Sequence, residues 1–196
     1  MDNMAYPAII PKLLRGEMCI SHTSLTLNDY WQWAHSNLVD NAERGALAEY
    51  LVHSAVGASN PTRVNWDKYD VMTPEGVAVE VKASGYIQSW AQDRLSAINF
   101  SIRPTYGWDS RTNTYSDECV RQSDVYVFCL LAHKEQETID PLDTDQWRFY
   151  VLPTRVLNKK VPEQKTITLS GIIRLGAEET DFSGLRDAVL TAAKSD

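Results

Sequence analysis

The sequence predicts a mixed α/β protein in which helices flank a β-sheet. Two helical patterns near the start of the chain precede a series of short strand patterns. A continuous apolar run at 124–132, bounded by polar residues, is typical of a buried central strand. Residues 77–82 alternate between apolar and polar behind a Pro-Glu-Gly turn, which indicates a hairpin. The chain has 196 residues, of which 43% are apolar, so we expect one domain over 1–196 with a single sizeable core.

Helix signals are clearest in the first third of the chain. One helix is expected to begin within Thr26–Asp29 and to run to about Leu38. A second is expected from Asn41, acting as N-cap, to about Val56, with Gly57 as its stop. Weaker patterns predict a short helix at 89–97, another opened by Pro153, and a final helix at 183–193.

Strand patterns occupy most of the remaining chain. Besides the apolar run at 124–132, short strands are predicted at 62–66, 69–73, 77–83, 98–102, 146–152 and 165–169. Two polar stretches, 104–116 and 133–146, are predicted to be loops.

The predicted hairpin places three charged side chains together. Gly76 can take the left-handed conformation that closes a three-residue loop, which sets Asp70 opposite Glu80. Asp70, Glu80 and Lys82 then share one face of the ribbon, whereas a two-residue loop would slip the register and separate the two acids. Facing carboxylates repel each other unless a cation lies between them, so the pattern favours a divalent metal site.

Glu49 is a further candidate ligand on the second helix. Apolar residues occupy both sides of that helix, so a carboxylate there is costly unless it is paired or bound to metal. Ordinary pairing with His53 one turn later, or with an arginine elsewhere, is the alternative.

Composition excludes several classes of protein. No apolar run is long enough to cross a membrane, and the first residues lack the pattern of a secretory signal. The chain has three cysteines and no CxxC pair, which fits a reducing compartment; we therefore expect a cytoplasmic protein without zinc.

The net charge of −7 counts against a nucleic-acid partner, but the charge is unevenly distributed. The segment 148–174 is positive and contains the candidate phosphate contacts Arg148, Arg155, Lys159 and Lys160, although each could simply be a solvated surface residue. Arg121, just before the central strand, is another candidate. Aromatic residues in and beside the region 104–116 are either base-stacking groups or anchors of the fold: Trp90, Tyr106, Trp108 and Tyr115.

The pattern Asp70…Glu80-Val81-Lys82 resembles the signature of the PD-(D/E)xK, or restriction-endonuclease-like, nuclease superfamily. The resemblance covers about 41–132 and implies an αβββαβ core, with N-terminal helical and C-terminal basic extensions outside it. Glu49 matches the helical acid of some branches, Gln88 is similar to a glutamine that often follows the motif as an accessory residue, and Tyr69 stands where the family name has proline.

The resemblance implies metal-assisted hydrolysis of phosphodiester bonds, most naturally in DNA. It implies one or two Mg²⁺ (or Mn²⁺) ions held by Asp70, Glu80, Glu49 and the Val81 carbonyl, with Lys82 orienting or deprotonating the attacking water. Many members act as dimers, so a homodimer stays open. Two alternatives remain: an inactive DNA-binding or assembly subunit that has kept the fold, and an acidic protein in which the motif is a coincidence.

Overall fold

The computed structural model describes residue 6 and residues 8–63, 68–109 and 112–194. Five α-helices and nine strands are found in this part of the chain. In chain order they are α1 (Leu27–His35), α2 (Asn41–Val56), β1 (Val71–Met72), β2 (Ala78–Gly85), β3 (Asn99–Ser101), β4 (Thr105–Asp109), β5 (Thr114–Val120), β6 (Val125–Leu131), β7 (Trp147–Pro153), α3 (Thr154–Lys160), β8 (Thr166–Thr168), α4 (Leu169–Arg174), β9 (Glu178–Thr180) and α5 (Leu185–Lys194).

A mixed five-stranded sheet forms the centre of the molecule, in the order β1-β2-β6-β7-β9. Strand β2 pairs antiparallel with β1 and parallel with β6, while the β6–β7 and β7–β9 pairs are antiparallel. All seven residues of β6 are buried, as expected for the central strand of a sheet covered on both faces. The predicted mixed α/β sheet flanked by helices is confirmed.

The two faces of the sheet carry separate apolar clusters. Helices α2 and α5 cover one face through residues such as Val52 and Val189, which pack on Val81 and Val127. On the other face, Phe128 lies in a cluster to which β3, α3, β8 and α4 contribute. Alternate residues of β2 therefore point to opposite faces of the sheet. The polar side chains of β2 point toward the face that carries the Phe128 cluster.

The early helices agree with the sequence pattern, with one correction at a cap. Helix α1 is capped by Thr26 through a capping box with Asp29. Helix α2 ends at Gly57, which has φ 71°, as expected. Its N-cap, however, is Asp40, whose side chain accepts a hydrogen bond from the Ala42 amide, rather than Asn41.

Two predicted segments have a different structure. Residues 89–97 form no helix; instead the Gln92 side chain accepts from the Gln88 amide and donates to the Tyr86 carbonyl, so side-chain bonds replace helical ones. The predicted loop at 104–116 is largely the β4–β5 hairpin, which forms a sheet of its own. Helix α4 and strand β9 were not predicted from the sequence pattern.

The expected αβββαβ order is therefore not established. The strand predicted at 62–66 falls mostly outside the described residues, and Thr62 and Arg63 are not in a strand. Between β2 and β6 the described residues contain strands but no helix. What agrees with that order is α2, the β1–β2 hairpin and the parallel pairing of β2 with β6.

The described residues include no helix of the length and apolar character that a membrane crossing requires.

We expect Phe128→Ala to lower the free energy of unfolding by about 3–5 kcal/mol, because a fully buried ring is removed from the central strand. The ring contacts Phe100 at 5.0 Å and Tyr126 at 5.6 Å between centroids, so its loss leaves a cavity under the sheet. Urea denaturation measures the change. Trp33→Ala, at a side chain that is 84% exposed, is the control and should stay within about 0.5 kcal/mol of wild type. Equal effects of the two changes would contradict the core assignment.

Candidate active site

The turn between β1 and β2 sets the register of the candidate active site. Gly76 has φ 86°, and its amide donates to the Thr73 carbonyl at 3.0 Å. Val71 pairs with Val79 and Met72 with Ala78, which places Asp70 opposite Glu80. The predicted three-residue loop and its register are therefore confirmed.

Asp70, Glu80 and Lys82 lie together on this ribbon. The Lys82 Nζ atom is 2.5 Å from Glu80 Oε1, and the Ser123 hydroxyl donates to Glu80 Oε2 at 3.3 Å. Asp70 Oδ2 accepts from the Val81 amide at 2.7 Å. The side chains of Glu80 and Lys82 are only 21% and 29% exposed, so these charges are largely withdrawn from water.

The surroundings of Asp70 disfavour the charged form of its carboxyl group. Burial, followed by the nearby Glu80 carboxylate, raises the pKa of Asp70 to about 7; Glu49 raises it further, while Lys82 and the Val81 amide oppose the shift. A carboxyl group with such a pKa is close to half protonated at neutral pH. A cation bound beside Asp70 and Glu80 would oppose this shift and favour the ionised form of Asp70.

Lys82 is held in its charged form. Burial alone would lower the pKa of its ammonium group, but Glu80 and Asp70 together outweigh burial and the pKa ends above its ordinary value. Tyr126 is opposite Glu80 in the parallel β2–β6 register. Burial and then the Glu80 charge raise the pKa of its phenol, so this group stays neutral beside the acids.

Glu49 is close to the cluster but has a partner of its own. Arg63 forms a two-point ion pair with it, from Nε to Oε2 and from Nη2 to Oε1, the second at 2.7 Å. His53 instead contacts the Asn60 carbonyl, so an arginine, and not this histidine, pairs with the acid. Glu49, Arg63 and Asp70 line one small cavity of about 110 Å³.

No three histidine, cysteine, aspartate or glutamate side chains of the described residues are grouped so that they could hold one metal ion. Asp70 and Glu80 nevertheless supply hard carboxylate oxygens on one face. Mg²⁺ is usually bound by one or two carboxylates together with water and substrate phosphates, so this pair fits such an ion. Glu49 could join only by leaving Arg63.

A cleft of about 490 Å³ opens beside the two acids. Asp70, Glu80 and Lys68 line one side, and the β4–β5 hairpin forms the other. At Gly107 the hairpin approaches so closely that an added Cβ would lie 3.0 Å from Gln122 and 3.1 Å from Lys68. The hairpin thus forms a wall of the candidate site.

Gln88 does not lie with the acids. It is 9% exposed, and its Nε2 atom donates to the Gly85 carbonyl at 2.8 Å and to the Ser96 hydroxyl at 3.1 Å. Its Oε1 atom accepts from Arg44 at 3.4 Å. The amide therefore joins the segment after β2 to α2, and the accessory role of Gln88 stays a prediction.

Arg121 also makes structural contacts, and its contact with phosphate stays a prediction. The side chain is buried, and its guanidinium donates to Asn158 and to four carbonyls, those of Ile102, Val161, Pro162 and Gln164. Its donors are thus engaged inside the protein, where they join the segment before β6 to the end of α3.

The other predicted phosphate contacts lie at the surface. Arg148 is exposed and donates to the Asp145 and Trp147 carbonyls, and Arg155 donates to the Ala192 carbonyl at 3.1 Å. Lys159 and Lys160 are exposed at the end of α3. Their contact with nucleic acid stays a prediction.

Arg186 on α5 contacts the β1–β2 turn that carries the candidate site. Its Nη1 atom donates to the Val56 carbonyl at the end of α2, and its Nη2 atom pairs with Glu75 in the β1–β2 turn. The guanidinium thus connects three separate parts of the chain.

A family model described as bacteriophage T4 endonuclease IV matches residues 21–171. The chain belongs to the bacteriophage T4 endonuclease IV family. The match covers Glu49, Asp70, Glu80, Lys82 and the whole β4–β5 hairpin, so the candidate active site lies inside the shared region. A search of curated proteins finds no match. Membership of an endonuclease family supports the predicted nuclease class.

In this member of the endonuclease IV family, Asp70→Asn should make the metal-free protein more stable at pH 8. Because the pKa of Asp70 in the folded protein is about 7, well above its unfolded value, the folded state binds more protons and stability falls as pH rises from about 4 through 7. Asparagine cannot ionise, so the variant should gain up to about 4 kcal/mol at pH 8 and little at pH 4. Urea denaturation in EDTA at both pH values measures the difference.

Asp181→Asn is the matched control with the opposite sign. Asp181 is exposed, and hydrogen bonds from Ser183 and then Gly184 lower its pKa. Its replacement should cost stability at pH 8 and change little at low pH. A gain from Asp70→Asn that is equal at pH 4 and pH 8 would contradict the raised pKa.

Proposed function

We propose that the protein is a metal-dependent endonuclease that hydrolyses phosphodiester bonds in DNA, with Asp70, Glu80 and Lys82 as its catalytic residues. The observation that carries the proposal is the confirmed register of β1 and β2, which gathers the two carboxylates and the ammonium on one face. Membership of the endonuclease IV family supports the reaction class.

The charges of the cluster fit this chemistry. Asp70 and Glu80 present oxygen ligands of the kind that Mg²⁺ and Mn²⁺ prefer. Burial and then the Glu80 carboxylate raise the pKa of Asp70, and a cation bound beside it would favour the ionised form. Mg²⁺ or Mn²⁺ bound at this pair would polarise the scissile phosphate and lower the pKa of an attacking water. The Val81 carbonyl and Glu49 are further proposed ligands, Glu49 after release from Arg63.

Lys82 acts as a fixed cation in this proposal. Its ammonium is held charged by Glu80 and Asp70, so it donates hydrogen bonds and does not accept a proton in the resting site. Its role is to orient the water and to offset the negative charge that grows on the phosphate oxygens as a bond to water forms and the P–O bond to the leaving sugar oxygen breaks. The attacking water loses a proton to solvent, and the departing sugar oxygen takes one up from solvent.

The site supports assignment to the PD-(D/E)xK superfamily as a further part of the proposal. The supporting features are the two acids across a hairpin, the Glu-x-Lys spacing on β2, a helical acid on α2 and the parallel β2–β6 pair. The connection from β2 to β6 departs from the expected order because its described residues form strands and loops.

Replacement of the catalytic residues should abolish cleavage without unfolding the protein. We expect Asp70→Ala, Glu80→Gln and Lys82→Ala each to lower kcat by roughly 10²- to 10⁴-fold, since each removes an interaction with the reacting groups. Cleavage of labelled DNA with Mg²⁺ or Mn²⁺ measures the rates, and thermal denaturation checks the fold. Lys134→Ala, at an exposed lysine on the loop after β6, is the control and should cleave at the wild-type rate. Unchanged rates in the Asp70 and Lys82 variants would refute the assignment.

The second candidate function is that of a DNA-binding or assembly subunit without catalysis. The Arg63–Glu49 ion pair favours this second candidate, because the carboxylate that would otherwise be a third metal ligand is already paired with an arginine. A divalent ion and this arginine would compete for the same carboxylate.

Calorimetric titration with Mn²⁺ separates the two candidates. For the enzyme we expect measurable binding that is lost in Asp70→Ala and strengthened in Arg63→Ala, since the second change leaves Glu49 available. DNA binding without Mn²⁺ binding and without cleavage would instead support the inactive subunit. Glu178→Ala, at an exposed acid on β9, is the control and should bind Mn²⁺ as wild type does.

A further inference from the structure

The β4–β5 hairpin carries two exposed tyrosine side chains. Tyr106 is 56% exposed and Tyr115 is 70% exposed, although both are in strands. Among the described residues the two strands pair only with each other, and most residues of β5 are exposed. Large rings held at a surface in this way lose little conformational entropy when a flat ligand covers them.

These rings face the candidate active site. Tyr106, Trp108 and Tyr115 line the same cleft of about 490 Å³ as Asp70 and Glu80. Trp108 is directly opposite Tyr115 in the hairpin register, so their side chains share one face of the ribbon. The cleft volume falls within the range of roughly 300–1,000 Å³ that is typical of sites for small ligands.

The wall is fixed in place by polar contacts. The Trp108 indole donates to Asn113, which has φ 54° in the turn, at 3.3 Å, and the Asn113 amide bonds the Asp109 carbonyl at 2.8 Å. At the base of the hairpin, Gln122 donates to the Thr105 carbonyl at 2.9 Å. The rings therefore stand on a supported ribbon beside the acids.

We propose that Tyr106 and Tyr115 form a base-stacking subsite that holds the nucleobase next to the scissile phosphate. The inference rests on the proposed function, since it assumes that Asp70 and Glu80 mark the position of that phosphate. The ligand is the open face of a nucleobase, supplied either by an unpaired strand or by a base turned out of a duplex. Ring stacking suits every base, so the subsite adds affinity and positions the strand without reading its sequence.

Binding and photocrosslinking test the subsite directly. The probe is a labelled oligodeoxynucleotide in which one 5-iododeoxyuridine is moved position by position, bound in EDTA and checked for intactness on a gel. We expect near-ultraviolet irradiation to join the iodinated base at one position to Tyr106 or Tyr115, as located by mass spectrometry. Parallel runs with a single strand and with a duplex distinguish the two sources of the base. Crosslinks only to residues outside the hairpin would overturn the proposal.

Substitutions provide the second arm. We expect Tyr106→Ala and Tyr115→Ala each to raise the Kd of the intact oligonucleotide roughly 5- to 150-fold, with a larger effect on KM than on kcat in cleavage. Phenylalanine should preserve binding, whereas leucine, which keeps apolar volume but has no aromatic face, should not. Tyr30→Ala, at a tyrosine on α1 that is 46% exposed, is the matched control and should bind as wild type does. Alanine variants within twofold of wild type, or leucine equal to phenylalanine, would overturn the proposal.

The two proposals fail separately in these experiments. Crosslinking to the hairpin together with normal cleavage by Asp70→Ala would reject the proposed catalytic residues and leave the stacking subsite intact. Loss of cleavage in Asp70→Ala together with unaffected binding in both tyrosine variants would retain the catalytic residues and reject the subsite.

Discussion

The repulsion between Asp70 and Glu80 across the β1–β2 hairpin is the interaction on which the candidate site depends. Two carboxylates are held face to face in a half-buried position, and one ammonium, that of Lys82, compensates for only part of their charge. A fold that evolved for stability alone would place an amide or an apolar residue there. The electrostatic cost of holding the two carboxylates together is an argument for function, because groups with strongly perturbed pKa values cluster at functional sites.

The local pattern of the β1–β2 region was enough to predict this register. A Pro-Glu-Gly turn and strict alternation over 77–82 specify both the loop length and the face of each side chain. The apolar run at 124–132 was equally informative, because a strand that is buried on both faces consists of consecutive apolar residues. Both features are determined by residues that are close together in the sequence, so local patterns were enough to predict them.

Other parts of the chain could not be predicted for reasons that the structure makes clear. The β4–β5 hairpin resembled a loop because most of its side chains are exposed, so apolar and polar residues do not alternate. The sequence around Arg121 does not reveal the acceptors of its guanidinium, which come from residues up to 43 positions away. The Arg63–Glu49 pair joins α2 to a residue 14 positions along the chain that lies in no regular element. For the two arginines the deciding contacts join distant elements, and no local signal in the sequence marks them.

Arg186 connects helix α5 to the turn that sets the positions of the two acids. Helix α5 lies beyond the segment matched by the family model, yet this arginine reaches from it to Glu75, inside the turn that sets the carboxylate register. A truncation after the matched segment would spare both acids, yet it would remove this link between α5, the end of α2 and the turn that sets the carboxylate register.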